Sequence, residues 1–303
     1  MNFNVIGLGE VLWDLLAAGP QLGGAPANFA YHAHVLGARS QVITRVGNDD
    51  YGREILSRFR DLALPTHTVQ IDGHAPTGTA AVHLSGNGVA HFTIQESVAW
   101  DYISATPGSL AAAREAHAIC FGSLAQRSET SRRAIQELVA ATPADALRVF
   151  DINLRQRYYS RDVIEHSLRL ANVLKLNDDE LPTVSRMFGL TGSTTRSNDE
   201  QIEQLAQSFQ LRLVALTRGP KGSLLYQEGR WSDCPSRPVE VVDTVGAGDS
   251  FTAALVLGLL QQMDLDQVHL LANEVARFVC SQAGATPPLP PEFAEKFQAS
   301  PGP

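Results

Sequence analysis

The chain has 303 residues, 44% of them hydrophobic and 18% charged, which supplies material for one large domain or two ordinary ones and excludes a disordered chain or a charge-rich coiled coil. Its 24 Lys and Arg are set against 32 Asp and Glu, a formal charge of -8. No overall basic field therefore exists to hold a nucleic acid, and an anionic ligand needs a local site.

Cys120, Cys234 and Cys280 are odd in number, far apart and without a C-x-x-C pair, so the sequence predicts neither a disulfide framework nor a zinc cluster, and a reducing, cytoplasmic setting. Met1-Asn2-Phe3-Asn4 offers no basic leader, and nowhere do 18 apolar residues run uninterrupted. Neither export nor membrane insertion is expected.

Along the chain, short apolar runs alternate with amphipathic stretches. Strands are predicted at residues 5–9, 41–46, 118–121, 147–152, 173–176 and 213–217. Helices are predicted at 27–36, 128–141, 161–171 and 198–209, from apolar residues spaced three and four apart. This β-α alternation predicts an α/β fold with a mostly parallel sheet covered by helices. One region breaks the order: 66–71, 79–84 and 89–94 are strand-like, with Ser85-Gly86-Asn87-Gly88 as a turn between the last two, and they predict a small antiparallel β flap. Such a flap must cover something or pair with another chain. Pro287, Pro288, Pro290 and Pro291 read as the stop of the last helix, and 300–303 as a frayed end.

The most informative segment is Val242-Asp243-Thr244-Val245-Gly246-Ala247-Gly248-Asp249, followed by the helical run 253–260. Two glycines let the backbone turn and approach a ligand closely, and the helix that follows presents unpaired amides and its positive dipole end. Asp249 beside such an anion hole can take a proton from a hydroxyl whose phosphoryl acceptor sits on those amides. On spacing alone, Asp249 could equally be a plain helix-starting acid.

Asp243-Thr244-Val245-Gly246-Ala247-Gly248-Asp249 resembles the D-T-x-G-A-G-D signature of the ribokinase-like (pfkB) carbohydrate kinases. Some 200 residues upstream, Gly23-Gly24-Ala25-Pro26-Ala27-Asn28, Leu36-Gly37 and Val46-Gly47-Asn48-Asp49-Asp50-Tyr51-Gly52 are similar to the family's G-G-x-x-x-N, L-G and V-G-x-D-x-x-G pattern. The resemblance covers nearly the whole chain. It implies one kinase domain over 1–303, with lid strands drawn mainly from about 10–22 and 66–100.

It also implies roles. Asp249 would be the catalytic base and the amides of Gly246, Ala247 and Gly248 the anion hole. Asp14, Gly23, Gly24, Asn28 and Arg155 would line the acceptor pocket together with Asp249. Asn177 and Glu180 match the family's N-x-x-E, in which the Glu helps hold hydrated Mg²⁺; without the family they read as helix-cap residues. Thr217, Arg218, Gly219 and Gly222 resemble the loop that borders the nucleotide, and Asn273 and Gly284 resemble positions near the adenine. ATP and Mg²⁺ are implied, with a monovalent cation such as K⁺ as a further candidate and a homodimer through the lid.

The segment Gly-Gly-Ala-Pro-Ala-Asn has the form seen in fructokinases and lacks the Lys of several other branches, so it points to an unphosphorylated sugar, fructose first. Asp151-Ile152-Asn153-Leu154-Arg155 is similar to 2-keto-3-deoxygluconate kinases as well, which keeps that acceptor open. A sugar or nucleotide sensor without turnover would have no need of Asp249. A dinucleotide-binding oxidoreductase is disfavoured because Gly7-x-Gly9 is followed by Leu12 where the third glycine belongs. His32 and His34 are poorly spaced for a shared metal, and His74, His83 and His91 read as exposed flap residues.

Overall fold

The computed structural model describes residues 3–16, 19–84, 90–190 and 197–298. Its strands are β1 Asn4–Leu8, β2 Leu12–Leu16, β3 Gly19–Gly23, β4 Arg39–Gly47, β5 Val69–Asp72, β6 Gly78–Leu84, β7 Ala90–Ile94, β8 Ala118–Phe121, β9 Leu147–Asp151, β10 Val173–Asn177, β11 Leu213–Thr217, β12 Ser223–Gln227 and β13 Arg230–Cys234. Among the described residues they form two sheets. The larger has the order β13-β12-β11-β10-β9-β8-β1-β4-β5, and the smaller β3-β2-β6-β7. From β5 to β11 every pairing is parallel, while β12 and β13 turn back as an antiparallel edge.

Alternation along the central strands feeds two cores, as a sheet covered on both faces requires. In β8, Ile119 and Phe121 join Ile6, Leu8 and Phe150 on one face, whereas Ala118 and Cys120 join Val5, Phe29 and Val149 on the other. The second face is covered by the helix Ala247–Leu260, whose residues Ser250 to Leu259 are all buried. Its hydrophobic character all round suits a helix enclosed by the sheet and by the helices Ala25–Val35 and Leu265–Cys280.

Two expectations change, and one hairpin is new. The segment predicted at 66–71 as part of the flap lies instead at the edge of the large sheet: β5 runs parallel to β4, with Val69 opposite Thr44. The helix Asp50–Asp61 provides the crossover that a parallel pairing needs, and Arg45 Nε to Asp72 (2.7 Å) with Thr68 Oγ1 donating to the Val42 carbonyl (2.8 Å) fastens the strand there. The prolines do more than end a helix, because Pro291 opens a last one, Pro291–Gln298. A first-turn proline lacks only an amide that has no helical partner anyway. The hairpin of β12 and β13 was not predicted at all. The turn at 85–88 and the end at 300–303 lie outside the described residues.

Within the small sheet, β2 pairs antiparallel with β3 and parallel with β6, and β6 pairs antiparallel with β7. Only residues 9–11 separate β1 of the large sheet from β2 of the small one.

Candidate active site

In an open parallel sheet, ligands bind beyond the carboxyl ends of the strands where the strand order reverses. Here that reversal falls at β1, between β4 and β8. Glu10 and Asp14 follow β1, Arg155 follows β9, Glu180 follows β10, and Arg218 and Gly219 follow β11. Topology alone thus gathers Asp14, Arg155, Glu180, Arg218 and Gly219 at one end of the sheet.

Asp249 stands in the first turn of the helix Ala247–Leu260, which no side chain caps. Gly246 precedes it with φ +78°, and a Cβ there would run into the Ala285 backbone. Glycine is therefore demanded twice over, by conformation and by space. Asn28 Nδ2 donates to Asp249 Oδ2 at 2.8 Å, joining the helix Ala25–Val35 to the helix that carries the candidate base. Burial is the main cause that pushes the Asp249 carboxyl up to about 6; the Asp151 carboxylate adds to it, while the Asn28 bond, Lys175 and Arg155 oppose it. A carboxylate with that poise can accept a proton near neutral pH.

Among the candidates for the acceptor pocket, Gly23 faces the Asp14 carboxylate so closely that a Cβ would collide with Oδ2. Asp14 is raised from its ordinary value by burial, with Arg155 opposing. Gly24 packs against the segment that follows β1, since a Cβ there would sit 2.6 Å from the Glu10 carbonyl. Arg155 is exposed, yet its charge acts on Glu10, Asp14 and Asp249 alike.

The nucleotide-side candidates divide into separate networks. Asn177 Oδ1 accepts from the amides of Asp179 (3.0 Å) and Glu180 (2.9 Å). The Glu180 carboxylate, 5% exposed, accepts from Asn177 N and Leu154 N, both at 2.8 Å. It braces the loop after β9 against the end of β10. Thr217 Oγ1 donates to the Leu176 carbonyl at 3.4 Å. Arg218 is ion-paired to Asp233 and donates to the Ser223 carbonyl, and Asn273 meets the same residue, donating to Ser223 Oγ at 2.8 Å. Gly219 and Gly222 shape the turn between β11 and β12. Gly284 belongs elsewhere: its amide donates to Asp243 Oδ2 at 3.1 Å, beside the Gly246 loop. There His32 Nε2 bonds the Ala285 carbonyl at 2.9 Å and Tyr31 Oη the Pro287 carbonyl at 3.1 Å.

Two features escape the sequence reading. Lys175 Nζ lies 3.0 Å from Asp151 Oδ1, with both side chains under 10% exposed, and Thr252 Oγ1 reaches Asp151 Oδ2 at 3.1 Å. Burial opposes the Lys175 charge, but Asp151, Glu180 and Asp249 together hold its ammonium above the ordinary value. A Cβ on Gly248 would be only 3.0 Å from that ammonium, so a fixed cation underlies the glycine loop. The second feature is Glu10, buried to 3%. A single charge within an apolar run is the signal each carries, since such a group is buried only when its surroundings compensate.

No group of three His, Cys, Asp or Glu side chains among the described residues could hold a metal by itself. With both Glu180 oxygens engaged by amides, the arrangement fits Mg²⁺ held through water and phosphate oxygens, the mode that ion prefers.

A half-buried carboxylate at an uncapped, glycine-fronted helix start, held by Asn28, suits phosphoryl transfer to a hydroxyl. The comparisons agree. A fructokinase of Klebsiella pneumoniae is 32% identical over 290 residues, 91% of each chain. A sugar kinase of Pyrococcus horikoshii in complex with ATP superposes with a TM-score of 0.81 at 28% identity, covering 97% of this chain and 99% of that one. A Vibrio cholerae fructokinase with fructose, ADP and calcium bound gives 0.77 at 25%, covering 95% and 96%. Residues 19–292 match the model of the pfkB family of carbohydrate kinases, and the chain belongs to that family.

Proposed function

We propose that this kinase transfers the γ-phosphoryl group of ATP to a hydroxyl of an unphosphorylated sugar, with fructose as the preferred acceptor. The observation that carries the reading is the 2.8 Å bond between Asn28 and Asp249, because it joins a candidate acceptor-pocket residue to the carboxylate that follows the glycine loop. Asp249 removes the proton of the acceptor hydroxyl as its oxygen attacks the γ-phosphorus and the bond to the β-phosphate oxygen breaks. The amides of Gly246, Ala247 and Gly248 receive the charge spread over the phosphoryl oxygens, and Lys175 beneath them supports it. Mg²⁺, held through water by Glu180, would offset phosphate charge. Thr217, Arg218, Gly219 and Gly222 would border the nucleotide phosphates and ribose, with Asn177, Asn273 and Gly284 further along the nucleotide.

The small sheet would act as a lid that excludes water from the transfer, and its open edges would pair two copies of the chain. A cytoplasmic location fits the three free thiols, and no helix among the described residues is long and apolar enough to cross a membrane.

A neutral sugar is held by directional hydrogen bonds, and Asp14, Asn28 and the Gly23–Gly24 backbone supply them. A phosphorylated sugar brings about two negative charges and needs matching cations. Arg155 is the cation whose charge reaches Asp14 and Asp249 from the solvent side, and that same observation favours a second acceptor, 2-keto-3-deoxygluconate, whose carboxylate it could pair. The test is kcat/KM at saturating Mg-ATP for fructose, ribose, fructose 6-phosphate, a nucleoside and 2-keto-3-deoxygluconate. Fructose should lead; a clear preference for the keto acid would reassign Arg155 to its carboxylate, and turnover of none would overturn the sugar reading.

A further inference from the structure

The acceptor side of the site holds two buried oxygens that lack a donor. Asn28 is 4% exposed and spends its amide on Asp249, which leaves Oδ1 without a hydrogen bond. Glu10 is 3% exposed, and its Oε2 has no partner either. Glu10 sits in the link 9–11 between the two sheets, two residues before β2, the strand that carries Asp14. Its carbonyl packs against Gly24 at the start of the helix that carries Asn28. A buried acceptor without a donor costs stability, and such costs persist where a ligand relieves them.

We propose that Glu10 reads the acceptor sugar: its free Oε2 takes a hydrogen bond from one sugar hydroxyl while Asn28 Oδ1 takes another, so the two buried oxygens select a polyol face. This rests on the sugar-kinase reading of the same pocket. Sugar hydroxyls are donors as well as acceptors, which matches a pocket whose unmet groups are both acceptors. A site built this way rejects an analogue that lacks the hydroxyl, because the buried oxygen is then left unpaired.

The charges facing Glu10 fit such a role. Arg155 from the loop after β9 and Arg127 from the segment Leu124–Arg127 favour its charged form, and Asp249 opposes it. Burial outweighs the rest and pushes the Glu10 carboxyl up to about 7. Acceptor binding should therefore improve as pH rises through about 7, above the limb set by Asp249.

The experiment uses the full chain and compares wild type with Glu10→Met on fructose and its 1-, 3-, 4- and 5-deoxy analogues, reading kcat/KM, the KM for Mg-ATP and Tm. Wild type should lose tenfold or more on one analogue. Glu10→Met should lose at least tenfold on fructose, treat fructose and that analogue alike within threefold, and keep the KM for Mg-ATP within twofold. Its Tm should hold or rise, because an apolar side chain replaces a buried carboxyl whose Oε2 is unpaired. A wild-type ranking retained by the variant overturns the proposal, as does a fall in Tm with kcat/KM on fructose unchanged, the mark of a purely structural group. If Glu10→Met does not fold, Glu10→Gln is read in the same way and should shrink the discrimination threefold or more; no shrinkage overturns the proposal. Wild-type turnover of fructose is the separate control. Its failure defeats the fructose assignment alone, and the comparison then moves to deoxy forms of the acceptor that wild type uses.

Discussion

Asn28 and Asp249 are 221 positions apart in sequence and 2.8 Å apart in the fold. That bond aims the carboxylate and favours its charged form, so Asp249 combines a raised proton affinity with a fixed orientation. Replacing Asp249 by Ala should lower kcat by about 10²-fold or more, since general-base help is worth roughly 10²–10⁴. ATP binding, followed by calorimetry, should persist. Near-normal turnover by the folded variant would remove Asp249 from the chemistry.

The same carboxylate should shape the pH profile. Only its charged form is a base, so kcat should rise with pH through about 6, the value to which burial pushes it. Asp151→Asn removes the like charge that raises it and takes away the ion-pair partner of Lys175, whose cation then favours the charged form of Asp249 more strongly. The acid limb should move to lower pH in that variant. A limb that stays in place would place its origin elsewhere.

Glu180→Gln tests two roles at once. Its two oxygens accept from Leu154 N and Asn177 N, and the amide group of Gln would turn a donor toward one of those donors. A stability loss of about 1–3 kcal/mol follows from leaving a buried amide unmet, measurable by denaturant titration. Loss of one negative charge near the phosphates should also raise the Mg²⁺ concentration for half-maximal rate. An unchanged Mg²⁺ titration with lowered stability would leave Glu180 as a brace only.

Buried histidines set a further dependence. Burial pushes His32 and His269 down to about 4, so between about 4 and 6.5 the unfolded chain binds protons that the folded chain refuses. Their contribution to stability is present above 6.5 and is lost as pH falls toward 4. Glu10 and Asp249, raised to about 7 and 6, act in the opposite sense over much of that window. Comparison of variants therefore separates them: relative to wild type, His269→Gln should gain about 2 kcal/mol at pH 5 over its value at pH 8, at about 1.4 kcal/mol per pH unit below 6.5. An equal difference at the two pH values would contradict the burial argument.

Legibility in the sequence followed how local each cause was. β8 and β11 match their predicted ranges to the residue, because each is an isolated apolar run whose both faces are covered. β5 looks like a flap strand from its own residues; its true partner, β4, is decided by the helix between them and by the Arg45 to Asp72 pair. The hairpin of β12 and β13 turns at Glu228 and Gly229, with φ of 50° and 88°, and Glu-Gly is a weaker turn signal than Asn-Gly or Asp-Gly. The turn before Asp249 is legible because its glycines mark it directly: Gly246 takes a positive φ at the start of the helix Ala247–Leu260. Lys175 and Glu10 were not, since a lone charge in an apolar run says nothing about which distant groups will surround it.

The helix Ala25–Val35 is fastened at both ends of the site. Asn28 holds Asp249, while Tyr31 and His32, one turn further on, hold the carbonyls of Pro287 and Ala285 beside the glycine loop. With sugar and nucleotide bound as proposed, a strut shared in this way would make the two ligands partners in a single equilibrium. Whatever factor a bound sugar adds to the affinity for nucleotide, the nucleotide must return to the sugar in equal measure. Asn28→Ala, which frees the strut at one end, should bring that common factor toward one in paired calorimetric titrations, even where each ligand still binds alone.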